Sequence, residues 1–159
     1  MKIRTGIGID IHQLAPGLDL WIGGIKLEHD KGCVAHSDGD VLIHAICDAL
    51  LGAAGLEDIG TYFPDTDAAY KGIDSKILLR RVYEMLRDKG FVIGNIDTVL
   101  CLQRPKIKSR VPEMRKCLAE ILNMEVEDLT IKATTTEHLG FEGREEGVSA
   151  YATVLLMKS

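Results

Sequence analysis

The chain has 159 residues, 46% of them hydrophobic and 27% charged, which is the size and balance of one globular domain and not of a disordered or fibrous polypeptide. A formal net charge of -5 and a pI near 5.5 argue against a general nucleic-acid or anionic-membrane binder, since both need a cationic face. Cys33, Cys47, Cys101 and Cys117 stand far apart with no C-x-x-C pair, so neither a zinc ribbon nor a dithiol redox motif is indicated, and reduced thiols in a cytosolic protein fit best.

A strand runs from Lys2 to Ile11, with no apolar export signal at its start and no stretch of about 18 apolar residues after it. The expected location is cytoplasmic, with a mature plastid form as the alternative. A hairpin follows, with arms Leu18 to Ile22 and Ile25 to Leu27 joined by Gly23 and Gly24. Leu42, Ala45, Ile46, Ala49, Leu50 and Ala53 then recur at helical spacing, which predicts a buried helix ending near Ala54 with Ser37 or Asp38 as its N-cap. A second helix starts near Asp74 or Ser75, turns Leu78, Leu79, Val82 and Leu86 inward and stops at Lys89-Gly90. A strand from Phe91 to Leu102 comes next. Met114, Cys117, Leu118, Ile121 and Leu122 share one face of a third helix beginning at Val111, and strands Leu129 to Thr134 and Val148 to Met157 close the chain. No repeat or linker divides it, so residues 1–159 read as one α/β (α+β) domain, a mixed sheet covered by helices on one face.

The polar residues that carry chemistry gather at strand and helix ends. Alternation along the first strand points Asp10 and His12 to the same side, where they serve as two metal ligands or, more plainly, cap a turn. His44 lies on the first helix with Asp40 and Asp48 one turn before and after it, as expected of a ligand whose second nitrogen meets a carboxylate, or else as part of a solvated Asp/His stripe. Together Asp10, His12 and His44 form a two-His, one-carboxylate set with an open fourth position, which is the pattern of catalytic zinc. Cys47 is an alternative donor that reads better as a small buried residue. His36-Ser37-Asp38-Gly39-Asp40 precedes the helix and reads either as a phosphate-receiving N-terminus or as a capping loop. Lys132-Ala133-Thr134-Thr135-Thr136-Glu137 leaves a strand with hydroxyls and a carboxylate suited to phosphate and a hard cation, although threonines are also ordinary strand formers. Arg104, Lys106, Lys108 and Arg110 alternate around Pro105, as a solvated face or an anion-binding loop.

Across Gly8 to Arg144, the blocks D-I-H, A-H-S-D-G-D-V, H-A-I-C-D-A-L-L-G-A, D-I-G, F-P-D-T-D, K-A-T-T-T-E and G-F-E-G-R occur in order. Through them the chain resembles the 2-C-methyl-D-erythritol 2,4-cyclodiphosphate synthase family. The resemblance implies a homotrimer with active sites between subunits. The implied reaction cyclises a cytidylyl substrate and releases CMP in non-mevalonate isoprenoid biosynthesis. It implies Asp10, His12 and His44 as ligands of one zinc per subunit, and Glu137 as the ligand of magnesium or manganese on the substrate diphosphate. His36 and Thr135 are implied to position phosphate, with Asp10, His12 and Ser37 also facing substrate. Asp58, Ile59, Gly60 and Phe63, Pro64, Asp65, Thr66, Asp67 match the methylerythritol loops, with Asp58 on the sugar hydroxyls. Leu102, Gln103, Arg104, Pro105, Lys106, Ile107 and Lys108 match the cytidine pocket together with Ala133, Thr134 and Thr135; Thr136, Phe141 and Arg144 complete the expected substrate contacts. Glu145 stands where the family usually carries Gly. Ile9 and Tyr151 stand where many members carry Phe and Glu along the trimer axis. A metal-dependent nucleotide diphosphate hydrolase and a trimeric CMP- or phosphate-sensing module are the rival readings.

Overall fold

A computed structural model describes residues 1–159. β1 (Lys2–Pro16) is followed by β2 (Leu20–Ile22), β3 (Ile25–Leu27) and β4 (Lys31–Val34), then by α1 (Val41–Ala53), the short α2 (Ile59–Tyr62) and α3 (Ser75–Asp88). β5 (Val92–Cys101), α4 (Val111–Leu122), β6 (Leu129–Thr134), the short α5 (Gly140–Gly143) and β7 (Gly147–Lys158) complete the chain. Five strands form one sheet in the order β4-β1-β7-β5-β6, and β2 and β3 form a separate ribbon. β5 and β6 are parallel, joined across α4, and the other pairs are antiparallel, so the sheet is mixed as expected.

Two expectations change. The first strand does not stop at Ile11, because Gln13 to Pro16 find a partner in β4, an edge strand too short to show a pattern of its own. The N-cap of α1 is Asp40 and not Ser37 or Asp38. Its buried carboxylate accepts the Ile43 N–H at 3.1 Å and also the Gly23 and Gly24 N–H groups at 3.0 and 2.7 Å, tying the β2–β3 turn to the helix start. α3 follows its predicted pattern, with Asp74 as N-cap and Leu78, Leu79, Val82 and Leu86 buried. α4 buries Met114, Leu118, Ile121 and Leu122 and ends at Asn123 in the left-handed region, with Cys117 only half-buried.

The core is one cluster built around α1, where Leu42, Ile43, Ile46, Leu50 and Leu51 are fully buried. α1 lies directly on β1. A Cβ on Gly8 would stand 1.9 Å from the Ala45 carbonyl oxygen, and one on Gly6 would stand 2.0 Å from that of Ala49. The helix meets these glycines with its own small residues, Ala45, Ala49 and Ala53, spaced four apart on one face. Helices cover this face alone. On the other, Ile3, Ile7, Ile9 and Ile11 of β1 and Tyr151 of β7 are exposed. No helix is long and apolar enough to cross a membrane.

Because the atom met at Gly8 is backbone, Gly8→Ala forces the helix to shift as a unit. The expected loss is about 3 kcal/mol, the upper end for overpacking, read as a lower urea midpoint at unchanged slope. An unchanged midpoint would show that the contact does not hold the helix in place.

Candidate active site

Even-numbered residues of β1 face α1. Beyond the glycine contact the next two on that side are Asp10 and His12, and α1 brings His44, only 6% exposed, over them. The His12 Nε2 to Asp10 Oδ2 separation is 2.8 Å, His44 Nδ1 to Asp10 Oδ2 is 3.1 Å, and His12 Nε2 to His44 Nδ1 is 3.2 Å. Donors bonded to one tetrahedral ion at about 2.0–2.1 Å lie about 3.3 Å from each other. The three atoms therefore converge with the spacing and the chemistry of a zinc ligand set, and the group is able to hold a metal ion. The charges agree. Burial alone would raise the Asp10 carboxyl, but hydrogen bonds and charge from His12 and His44 outweigh it and hold the group at about 2. Burial would lower the His44 imidazole, yet Asp10 outweighs it and the net shift is upward.

The carboxylates expected beside His44 do other work. Asp40 caps α1, and Asp48 accepts the Ile59 N–H at 2.9 Å. Instead, His44 Nε2 lies 2.9 Å from Ser75 Oγ, at the start of α3, and 3.3 Å from Ser37 Oγ. Ser75 is read from sequence only as a helix start; nothing local links it to a histidine 31 residues away. Cys47 is fully buried, its thiol pushed well above the ordinary range by that burial, and it stands apart from the ligand set.

The donor set opens into a cavity of about 420 Å³. Ala35, His36 and Ser37 line it on one side and Ile59, Gly60, Phe63 and Asp65 on the other, with Val34, Tyr70, Ile73 and Leu78, which the motifs did not single out. The Phe63 ring meets Tyr70 edge to face at 5.6 Å. His36 Nε2 donates to the Asp67 carbonyl at 2.9 Å. Asp58 caps α2, accepting from the Thr61 N–H at 3.0 Å; it, Pro64, Thr66 and Asp67 lie outside the cavity wall. The start of α1 is no open anion site, because Asp40 takes the Ile43 N–H, Asp38 takes the Asp40 N–H and Ser37 Oγ takes the Gly39 N–H. The capping-loop reading of this segment holds.

A second pocket, about 170 Å³, lies at the C-terminal ends of β5 and β6 and is lined by Leu102, Gln103, Pro105, Lys106, Ile107, Lys108, Ala133, Thr134 and Thr135. The sequence blocks brought together these same residues, except Arg104. Its guanidinium turns away to Glu145 Oε1 at 2.7 Å, after which a cis bond leads to Pro105. Thr136 Oγ1 donates to the Leu139 carbonyl at 2.6 Å, while the Glu137 carboxylate forms no ion pair or hydrogen bond within the chain. Phe141 borders a third hollow beside His12, and Arg144 pairs on the surface with Glu146 at 2.6 Å. Glu145 has φ 59°, in the left-handed region that suits glycine, which accords with the glycine expected there.

Strand register relates the two pockets. Asp10 lies opposite Ala150, Ala150 opposite Leu100, and Leu100 opposite Ala133, so the donor set and the second pocket share one end of the sheet. Three strand spacings separate them, about 14 Å. Thr135 lines the second pocket and not the first, and Glu137 is not part of the Asp10, His12 and His44 donor group within one chain.

The model of the YgbB family matches residues 3–157. A Bacteroides fragilis protein named 2-C-methyl-D-erythritol 2,4-cyclodiphosphate synthase is 60% identical over 156 residues, 98% of each chain. A Bacteroides thetaiotaomicron protein of the same name is 58% identical over 158 residues, 99% of each chain. Among solved structures, the bifunctional IspDF from Campylobacter jejuni is similar with a TM-score of 0.95 at 42% identity, over 99% of this chain and 43% of that one, so the chain spans less than half of that protein. Plasmodium falciparum IspF, solved as a CDP complex, is similar with a TM-score of 0.87 at 34% identity, over 99% of this chain and 97% of that one.

Removing one of three donors should cost more than the 10–100-fold seen on losing an outer-shell partner. After incubation with zinc and gel filtration, His44→Ala is expected to carry no zinc by atomic absorption, with its circular dichroism retained. A full equivalent of zinc in that variant would place the ion elsewhere.

Proposed function

The chain belongs to the YgbB family of 2-C-methyl-D-erythritol 2,4-cyclodiphosphate synthases, and from that membership we propose that it converts 4-diphosphocytidyl-2-C-methyl-D-erythritol 2-phosphate to the 2,4-cyclodiphosphate and CMP. The observation that carries this reading is the convergent Asp10, His12 and His44 donor set at the floor of a cavity roofed by the Ile59–Asp65 loop. One chain holds only half of the required site. The pocket suited to a cytidine, formed by the 102–108 loop and Ala133 to Thr135, lies too far along the sheet to present a diphosphate to its own donor set. A neighbouring subunit would supply it. The exposed apolar strip of Ile3, Ile7, Ile9, Ile11 and Tyr151 supports packing of three sheets face to face as a homotrimer.

In this arrangement the substrate's own 2-phosphate oxygen forms a bond to the β-phosphorus as the bond from that phosphorus to the CMP oxygen breaks, so no covalent enzyme intermediate is needed. Folding the substrate back makes the attack intramolecular, and well-oriented systems of that kind gain about 7–11 kcal/mol. The Ile59–Asp65 loop would hold the methylerythritol, with Asp58, just beyond the cavity wall and with Oδ2 free of its cap bonds, at its hydroxyls. His36 and Ser37 reach the phosphate from the rim, and Thr135 of the adjacent subunit holds the diphosphate from the opposite side. The backbone of the 102–108 loop recognises the base, which frees Arg104 for its ion pair. Zinc at Asp10, His12 and His44 would supply Lewis-acid stabilisation of phosphoryl oxygens. Glu137, whose carboxylate is unengaged, would hold magnesium or manganese for the diphosphate.

Incubation with zinc, magnesium and the cytidylyl substrate, followed by phosphorus NMR, is expected to give stoichiometric CMP and a cyclic diphosphate. CMP with two open phosphates would make the protein a hydrolase, and absence of turnover by folded, zinc-loaded protein would make it a binding module. Light scattering is expected to return three times the 17.5 kDa chain mass. Ile7→Glu, which sets charge on the open sheet face, should yield monomers that keep zinc and lose at least about 100-fold in turnover, since half the site leaves with the neighbour. A trimeric, active variant would remove the shared-site assembly.

A further inference from the structure

We propose that Ser75 and Asp38 are positioning residues for His44, fixing the tautomer that turns its Nδ1 toward the metal. The inference rests on the metal reading of Asp10, His12 and His44. Ser75 is fully buried at the first turn of α3, and its Oγ lies 2.9 Å from His44 Nε2. A serine hydroxyl has a single proton. Here it goes to Asp38 Oδ1 at 2.5 Å, while the other oxygen of the same carboxylate accepts the Ser75 N–H at 3.0 Å. With its proton committed, Ser75 Oγ meets the imidazole as an acceptor, so the ring proton sits on Nε2. Nδ1 then carries a lone pair, facing Asp10 Oδ2 and His12 Nε2 at 3.1 and 3.2 Å. Ser37 Oγ, which accepts the Gly39 N–H, is the more distant neighbour of Nε2, at 3.3 Å against 2.9 Å for Ser75.

The alternative tautomer has an obvious trap. Without an acceptor at Nε2, the proton moves to Nδ1, where the Asp10 carboxylate receives it and the donor atom is lost to the metal. A hydroxyl backed by a carboxylate thus stands where metal-bound histidines commonly meet a carboxylate directly. The acceptor is seated by the loop that closes the cavity. The Asp38 N–H donates to the Ile73 carbonyl at 3.1 Å and the Gly72 N–H to the His36 carbonyl at 2.6 Å, so the His36–Asp38 segment and the start of α3 are zipped together.

Zinc affinity, measured by competition with a chromophoric chelator on the full chain, is expected to fall 10–100-fold in Ser75→Ala and to fall in Asp38→Asn as well. The rise in melting temperature on adding zinc should shrink in both. A purely structural role predicts instead that chelated and zinc-loaded proteins lose melting temperature equally and that affinity stays within about two-fold of wild type; that result would overturn the proposal. Long-range nitrogen–proton NMR of the zinc-loaded wild-type protein needs no variant and should show His44 protonated at Nε2; protonation at Nδ1 would equally overturn it. Wild-type protein that takes up no zinc would remove the metal reading itself, a separate outcome from wild-type and Ser75→Ala proteins binding zinc alike.

Discussion

Everything at the active end of this molecule depends on how closely α1 lies on β1. A helix normally stands off a sheet by the thickness of two layers of side chains. At Gly6 and Gly8 one layer is missing altogether, and Ala45, Ala49 and Ala53 supply only methyl groups in the other. Two periodicities share this contact. The period of two along the strand sets Gly6, Gly8, Asp10 and His12 in a row, and the four-residue spacing along the helix runs the alanines beside it. His44, one residue before the first alanine, is delivered to the end of the row where the polar pair begins. A helix held farther off by ordinary side chains would leave its imidazole well short of Asp10.

Acidic residues crowd this end of a chain with net charge -5, and the fold sorts them by the donors it offers. Asp40 is spent on three backbone N–H groups, Asp38 on Ser75 and the Asp40 N–H, and Asp48 on Ile59. Asp10 has no backbone donor and faces two imidazoles, so of these four it is the one left for a cation. This sorting was not legible in the sequence. Ser37, Asp38 and Asp40 are comparable caps by residue type, and what selects Asp40 is the Gly23–Gly24 turn, which arrives from the separate β2–β3 ribbon. Ser75 was hidden for the same reason, since its contact to His44 crosses from one helix to another.

What could be read was local or periodic. Alternation in β1 put Asp10 and His12 on one side, and the apolar spacing in α1, α3 and α4 marked the buried faces. The ends of β5 and β6, which close one pocket, were paired only through the family resemblance, since no local pattern links residues 102–108 to 133–135. β4 escaped notice because four residues at a sheet edge carry too little pattern to separate from a loop, and with it went the last residues of β1. α2 and α5 are single turns whose existence depends on packing and not on periodicity.

Two turns tied to the 102–108 loop carry backbone outside its comfortable regions. Glu137, His138 and Glu145 all have positive φ without being glycine, at about 1 kcal/mol or more each. Such conformations persist only when neighbours fix them. His138 N–H donates to Gln103 Oε1, Thr136 Oγ1 holds the Leu139 carbonyl, and Lys31 Nζ binds the Glu145 carbonyl at 2.9 Å while Arg104 holds its carboxylate. These bonds bind the Thr136–Leu139 turn and the Glu145 turn to the same 102–108 loop. Glu145 has partners for both its carbonyl and its carboxylate, whereas the Glu137 carboxylate has none. The firmly tied turn therefore holds an exposed, unengaged carboxylate at Glu137 out to solvent.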